Sequence, residues 1–360
     1  MTSRQRLMRC YFHQEMDRPC VWVWTLYPKG DASYDRLKAY VQRHADVKPG
    51  FHGTAFETPP PTTVRQEPYS GQFRREITTL HTPAGDLESS RLVGLDGRPG
   101  MDLAYFIKDR RDAQKYLSLP MPQIGGDVSG FFQKEKEVGD RGVVEARLGS
   151  NAAGWVSGLC GSESFALLSI TDRDVLHELC RREVRILLNR AKFLIEKGVG
   201  PIFALSGPEL VSPPLHGPRD FWDFNVRYDK PVIDLLHEAG GRVSVHCHGS
   251  IRKVLPGFLE AGVDVLNPFE GPPMGDITPR ECKEVVRGRM SLEGNIQIAS
   301  MYEHTPRQIR RETLDIIRDV FDDRGGLIVS PTASPYIVGA GETSFPNFKA
   351  MIDTVVKWKA

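Results

Sequence analysis

The sequence predicts an α/β chain folded as a (β/α)8 TIM barrel with an N-terminal elaboration of helices and a β-hairpin. Three observations carry this reading. After about residue 140, short apolar runs alternate with helical patterns of about 10–20 residues, the rhythm of strand–helix units. Each run is apolar throughout rather than alternating, as a parallel strand buried on both faces requires. Polar residues also gather where these runs end, the edge at which parallel barrels build their sites. An open doubly wound sheet is the other arrangement of the same units. The whole of 1–360 reads as one domain, with 1–100 as elaboration and 140–360 as the main barrel units, without linker or internal repeat.

Taken in order, Ser3 is placed to cap a helix reaching Met16, ended by Asp17-Arg-Pro19. Val21-Trp-Val-Trp24 is a buried strand, and 33–44 an amphipathic helix. Residues 50–70, rich in Pro, Thr and Gly, read as a loop. The extended runs 74–81 and 87–93 flank Thr82-Pro-Ala-Gly-Asp86 and form a hairpin. Strand 143–148 and a short helix at 153–160 precede a long helix at 172–197, with Val175, Leu176, Leu179, Val184, Leu187 and Leu194 at helical spacing. Strands at 201–205, 242–248, 263–267, 289–294 and 326–330 then alternate with helices at 218–239, 250–261, 278–287 and 306–321, and a last helix covers 344–358. Asp276 is placed to cap helix 278–287.

Composition narrows the function. With 47 Lys and Arg against 46 Asp and Glu, the net charge of +1 offers no field for nucleic acid or an anionic membrane. No apolar run approaches the roughly 20 residues that span a bilayer. Six scattered cysteines without a CxxC pair suit reduced thiols in a cytoplasmic protein. Gly339-Ala-Gly341 follows a loop rather than opening a helix after a strand, so the dinucleotide fingerprint fails; GxxxxGK[ST] and GxSxG are absent.

The chemistry concentrates at Arg242-Val-Ser-Val-His-Cys-His-Gly-Ser250. Successive strand side chains alternate faces, so His246 and His248 share one side and Cys247 turns away. The neighbouring strand ends deliver Glu209, Glu270, Asn295 and Tyr336 to the same mouth. His246, His248, Glu209 and Glu270 form an expected N/O ligand set for Zn(II), with other divalent metals open. Trp155, Phe269, Met274, Tyr302, Tyr336 and Phe345 are candidate walls of an aromatic pocket.

Longer phrases carry a resemblance. Tyr228-Asp-Lys-Pro-Val-Ile-Asp-Leu-Leu-His237, the strand ending in His246-Cys-His-Gly249, Leu292-Glu-Gly-Asn295, Gly325-Gly-Leu-Ile-Val329 and Phe345-Pro-Asn-Phe-Lys-Ala350 are similar to the uroporphyrinogen decarboxylase superfamily. Residues 3–19 resemble its opening helix. The decarboxylases of that superfamily bind a tetrapyrrole through an Arg-Gln-Ala-Gly-Arg segment. Here Asp17-Arg-Pro-Cys is followed by Thr25-Leu-Tyr-Pro-Lys29 instead, which disfavours a porphyrinogen decarboxylase.

The other branch resembles corrinoid-linked methyltransferases, which hold zinc through His-x-Cys-Gly and a later Cys. His246 matches the first ligand, His248 stands where the Cys would be, and Pro331-Thr-Ala-Ser-Pro335 fills the later loop. Imidazoles and carboxylates in place of thiolates leave a stronger Lewis acid, suited to polarising a substrate oxygen. The resemblance therefore implies an O-demethylase: a methyl group leaves a small methoxylated aromatic for a corrinoid protein. Glu209, Glu270, Asn295 and Tyr336 are its expected catalytic groups, and a homodimer stays open. The alternative is a decarboxylase of a non-porphyrin carboxylate, with Arg219, Arg227 and Arg252 as the available cations.

Overall fold

The structure, a computed structural model, describes residues 1–52, 57–95 and 99–359. Its strands, in chain order, are β1 (Cys20–Val21), β2 (Gly50–Phe51), β3 (Thr62–Pro68), β4 (Phe73–Leu80), β5 (Leu87–Gly94), β6 (Met101–Ala104), β7 (Glu145–Ser150), β8 (Ile202–Ser206), β9 (Arg242–His246), β10 (Val265–Asn267), β11 (Ser291–Ile296) and β12 (Leu327–Pro331). Eight of them pair in parallel in the order β1-β12-β11-β10-β9-β8-β7-β2, curling into a barrel surrounded by helices. The ends of that order, β1 and β2, are joined by Asp46. Its backbone N–H donates to the Val21 carbonyl and its carboxylate accepts from the Val21 N–H, each at 2.8 Å. Arg6 and Arg18 hold the same carboxylate from the N-terminal segment, at 3.1 and 3.3 Å.

The apolar runs became strands because each has partners on both sides: Val243, Val245, Val265, Leu266, Leu292, Ile328 and Val329 are buried in one core. The helix Arg173–Glu196 turns Val175, Leu176, Leu179, Leu187 and Leu194 onto the outside of that sheet, following its 3.6-residue period. The helix Pro306–Val320 begins in a capping box between Thr305 and Gln308. A cap of this kind contributes roughly 1 kcal/mol.

Several boundaries differ from the sequence reading. The first helix is Ser3–Tyr11, and Thr2 caps it in a box with Gln5. Thr278, boxed with Glu281, caps the helix Pro279–Val286; Asp276 instead accepts from the Arg252 N–H. Ala152–Thr171 is helical well beyond residue 160, interrupted at Gly161. Much of the stretch read as a loop is β2 and β3, while its residues 53–56 lie outside the described residues. β2 is too short and too Gly-flanked to show a pattern. The expected hairpin forms from β4 and β5 and is extended by β3 and β6 into a four-stranded antiparallel sheet.

Among the described residues no helix is long and apolar enough to cross a membrane. All six cysteines are free and buried.

Candidate functional site

The carboxyl end of β9 sets the site. Val243 and Val245 point into the core, so His246 turns the other way, Cys247 is buried again, and His248 follows beyond the strand. The two imidazoles meet edge to face with ring centroids 4.7 Å apart. Each is anchored through Nδ1. His246 donates to Asn267 Oδ1 at 2.7 Å, and His248 donates to Glu270 Oε2 at 2.9 Å. Among the described residues neither Nε2 has a hydrogen-bond partner. A carbonyl or carboxylate on one ring nitrogen fixes the tautomer and leaves the other nitrogen as the basic, ligating atom.

Electrostatics separate the two rings. Burial, opposed only in part by the Asn267 hydrogen bond, pushes His246 down to about 4, so it is neutral at physiological pH. The Glu270 hydrogen bond holds His248 above the usual histidine value, although burial works against it. Burial alone would raise Glu270, but hydrogen bonds from His248 and Gln297 outweigh it and keep its carboxyl below the usual range. Both Glu270 oxygens are engaged: Gln297 donates to Oε1 at 3.0 Å, while His248 and the Gly249 N–H share Oε2.

Glu209 sits on the single turn Pro208–Val211 after β8. Its Oε2 is buried without a partner among the described residues, and burial raises its pKa while the His248 charge opposes that rise. Asn295 donates to the Phe269 carbonyl at 2.7 Å, and its Oδ1 is likewise buried and unpaired. Tyr336 lies on the outer rim, 58% exposed, its ring against Tyr302.

The expected four-ligand set is not assembled: among the described residues no three His, Cys, Asp or Glu side chains gather as a metal-holding group. The reason is visible at Glu270, whose oxygens are spent on orienting His248. What is left for a ligand is the pair of Nε2 atoms with fixed tautomers; the unpaired buried oxygen of Glu209 is not gathered with them.

A cavity of about 200 Å³ opens inside the barrel beside His246, lined also by Trp24, His52, Arg147, Ser206 and Asn267 among others. Its floor is a buried ion cluster. Lys48 Nζ lies between Glu145 at 3.1 Å and Glu293 at 2.8 Å. Tyr11 and Ser244 also donate to Glu145, and Trp22 Nε1 donates to Glu293. Burial raises Glu293, whereas for Glu145 the charge of Lys48 overcomes burial and lowers it.

The expected aromatic walls are elsewhere. Phe269 and Phe345 are core residues, Met274 is exposed, Tyr302 bonds Tyr34, and Trp155 borders a second cavity against Tyr116 and Arg182. Trp24 takes the place assigned to them. Arg219 and Arg227 are exposed, and Arg252 is paired with Glu281. Lys48, Glu145 and Arg147 were missed by sequence reasoning. Glu145 and Glu293, charges inside otherwise apolar strands, were the available signal, since a buried carboxylate demands a buried cation.

Residues 155–358 match the family model described as Uroporphyrinogen decarboxylase (URO-D). The chain belongs to the uroporphyrinogen decarboxylase family. A methyltransferase from Methanosarcina mazei shares the fold of this uroporphyrinogen decarboxylase-family chain, with a TM-score of 0.62 over 98% of each chain at 14% identity. A 3-keto-D-glucoside 4-epimerase from E. coli matches more loosely, with a TM-score of 0.38 over 62% of this chain and 92% of that one at 11% identity. No curated protein matches the sequence.

Proposed function

We propose that this uroporphyrinogen decarboxylase-family barrel is a methyltransferase that moves the methyl group of a small methoxylated aromatic to a Co(I) corrinoid carried by a partner protein. One observation carries the reading: two adjacent imidazoles, both locked through Nδ1, have Nε2 unpaired, and one of them, His246, lines a ring-sized cavity. The Nε2 atoms of His246 and His248 are the groups that would hold Zn(II) or another divalent metal, which would supply Lewis acidity toward an ether oxygen. The demand is real, because a phenolate with a pKa near ~10 is a poor leaving group.

The chain's own residues do the rest. Asn267 and Glu270 orient the two imidazoles. The O–CH3 bond breaks with its electron pair going to oxygen, and the methyl group bonds to the electron pair of Co(I). Glu209, kept more readily protonated by burial, gives its proton to the departing phenolate oxygen. Trp24 offers a flat apolar wall for the ring.

The test uses purified protein, a methoxybenzoate and photoreduced cobalamin as free acceptor, following loss of the Co(I) absorbance together with bound metal. Metal-dependent methylation that disappears in His248→Ala supports the reading. Metal-free protein with full activity, or an unaffected His248→Ala, overturns it.

A second reading, decarboxylation of a non-porphyrin carboxylate, is favoured by the cationic Lys48 and Arg147 in the cavity. Release of CO2 from a carboxylate panel, without any methyl acceptor, would select it.

A further inference from the structure

We infer that the cavity is built for an anionic substrate, an arene carboxylate, whose carboxylate is gripped by the guanidinium of Arg147 while its opposite edge faces His246. The inference rests on the methyl-transfer reading for which end of the ligand reacts. The anion site itself stands on the geometry of Arg147.

Arg147 belongs to β7, and the pairing of β7 with β8 shifts register between Arg147 and Gly149. The shift falls after Arg147, which keeps the strand's alternation and faces the cavity on the same side as Glu145. Its guanidinium lies across Gly50 of β2, where a Cβ would come within 2.5 Å of Nε and 2.9 Å of Cζ. Only a glycine there leaves room for the charge to lie flat on the barrel wall.

The guanidinium is only partly engaged, in a long ion pair with Glu145. Its nearest carboxylate oxygen, Glu145 Oε2, is 3.6 Å away, beyond a hydrogen bond, and Glu145 already serves Lys48, Tyr11 and Ser244. Arg147 makes no hydrogen bond among the described residues, although three quarters of its side chain is buried. Arg173 is enclosed to a similar degree and is committed to Asp220 and Asp223. A guanidinium in a cavity wall without hydrogen bonds is free to take a ligand, and its planar fork matches a carboxylate in two-point contact.

The surroundings set size and shape. Arg147 Cζ lies 5.9 Å from the Trp24 ring centroid, and the same ring meets His246 edge to face at 5.6 Å. Trp24 is fixed by its indole N–H on the Pro331 carbonyl at 3.1 Å. A single ring lying along Trp24 therefore reaches from the guanidinium to the imidazole. A cavity of about 200 Å³, below the ~300–1,000 Å³ of drug-sized sites, admits one substituted ring and no tetrapyrrole. The other charges on the wall are gathered in one cluster, Lys48 between Glu145 and Glu293.

The experiment is a calorimetric titration of the full chain with benzoate and with benzamide, its neutral isostere, in wild type, Arg147→Gln and Gly50→Ala. The expected result is at least tenfold tighter binding of benzoate by wild type. Arg147→Gln abolishes that preference, and Gly50→Ala, which displaces the guanidinium, weakens it. Unfolding midpoints check that the variants are folded. Equal binding of the two ligands by wild type, or a preference that survives Arg147→Gln, overturns the inference. Neither probe carries a methyl group, so this failure is distinct from failure of the methyl-transfer reading, which shows only in the cobalamin assay.

Discussion

Glu270 Oε2 accepts from His248 Nδ1 at 2.9 Å, and from that bond follows the division of labour at the mouth of the barrel. A carboxylate expected from sequence as a ligand serves instead to aim an imidazole. Glu270→Gln keeps the shape but weakens the acceptor. Bound zinc and turnover, measured by elemental analysis and the cobalamin assay, should fall together by about 10–100-fold, the usual effect of losing such an orienting partner.

Glu209 is assigned to the proton and not to the substrate's grip. Glu209→Gln should lower kcat for an unactivated methoxyarene by roughly 10²–10⁴-fold. A nitro-substituted methoxyarene, whose phenolate needs no proton, should lose far less. Equal losses for both substrates would contradict the assignment.

Lys48 is the one cation between two buried carboxylates. Lys48→Met leaves Glu293 without its charge partner and Glu145 with only the more distant Arg147, and should cost roughly 3–5 kcal/mol in urea unfolding, the range for breaking a buried pair. Adding Glu293→Gln to Lys48→Met should recover part of that loss. A double variant as unstable as the single one would show the pair to be uncoupled.

Asp229 gives a pH dependence remote from the site. It is buried and accepts from Asn151 Nδ2 at 2.8 Å; burial raises it to about 7, more than that hydrogen bond lowers it. Since the folded state holds this proton more tightly than the unfolded chain, its contribution is complete below about 4 and is lost as pH rises to about 7. At ~1.4 kcal/mol per unit the change amounts to a few kcal/mol. Thermal unfolding from pH 4 to pH 7 should show this decline in wild type and a flatter profile in Asp229→Asn.

Where the sequence was legible, one physical rule acted alone. The alternation of strand faces predicts that His246 and His248 share a side, and their rings meet at 4.7 Å. Runs such as Val243–Val245 and Leu327–Val329 had to be buried strands, and the barrel follows from their number and spacing. Legibility failed where two elements far apart in sequence cooperate. Arg147 acquires its place from Gly50, and Lys48 from Glu145 and Glu293; no local pattern joins those positions. The pocket wall was misassigned for a related reason. Aromatic residues after strands are equally at home in core or rim, and only packing shows that Trp24 faces the cavity while Phe269 does not.

The link between β1 and β2 at Asp46 has a mechanical consequence. Elsewhere the ring is fastened by strand ladders; here a single residue, Asp46, does that work through its backbone N–H and its carboxylate, the latter steadied by two arginines from the N-terminal segment. This is the stave most easily sprung. Partial opening should begin there, exposing the Val21 amide to solvent exchange before those of β9 to β12, and a clip at residues 12–18 would loosen the wall beside Trp24 without unfolding the far side.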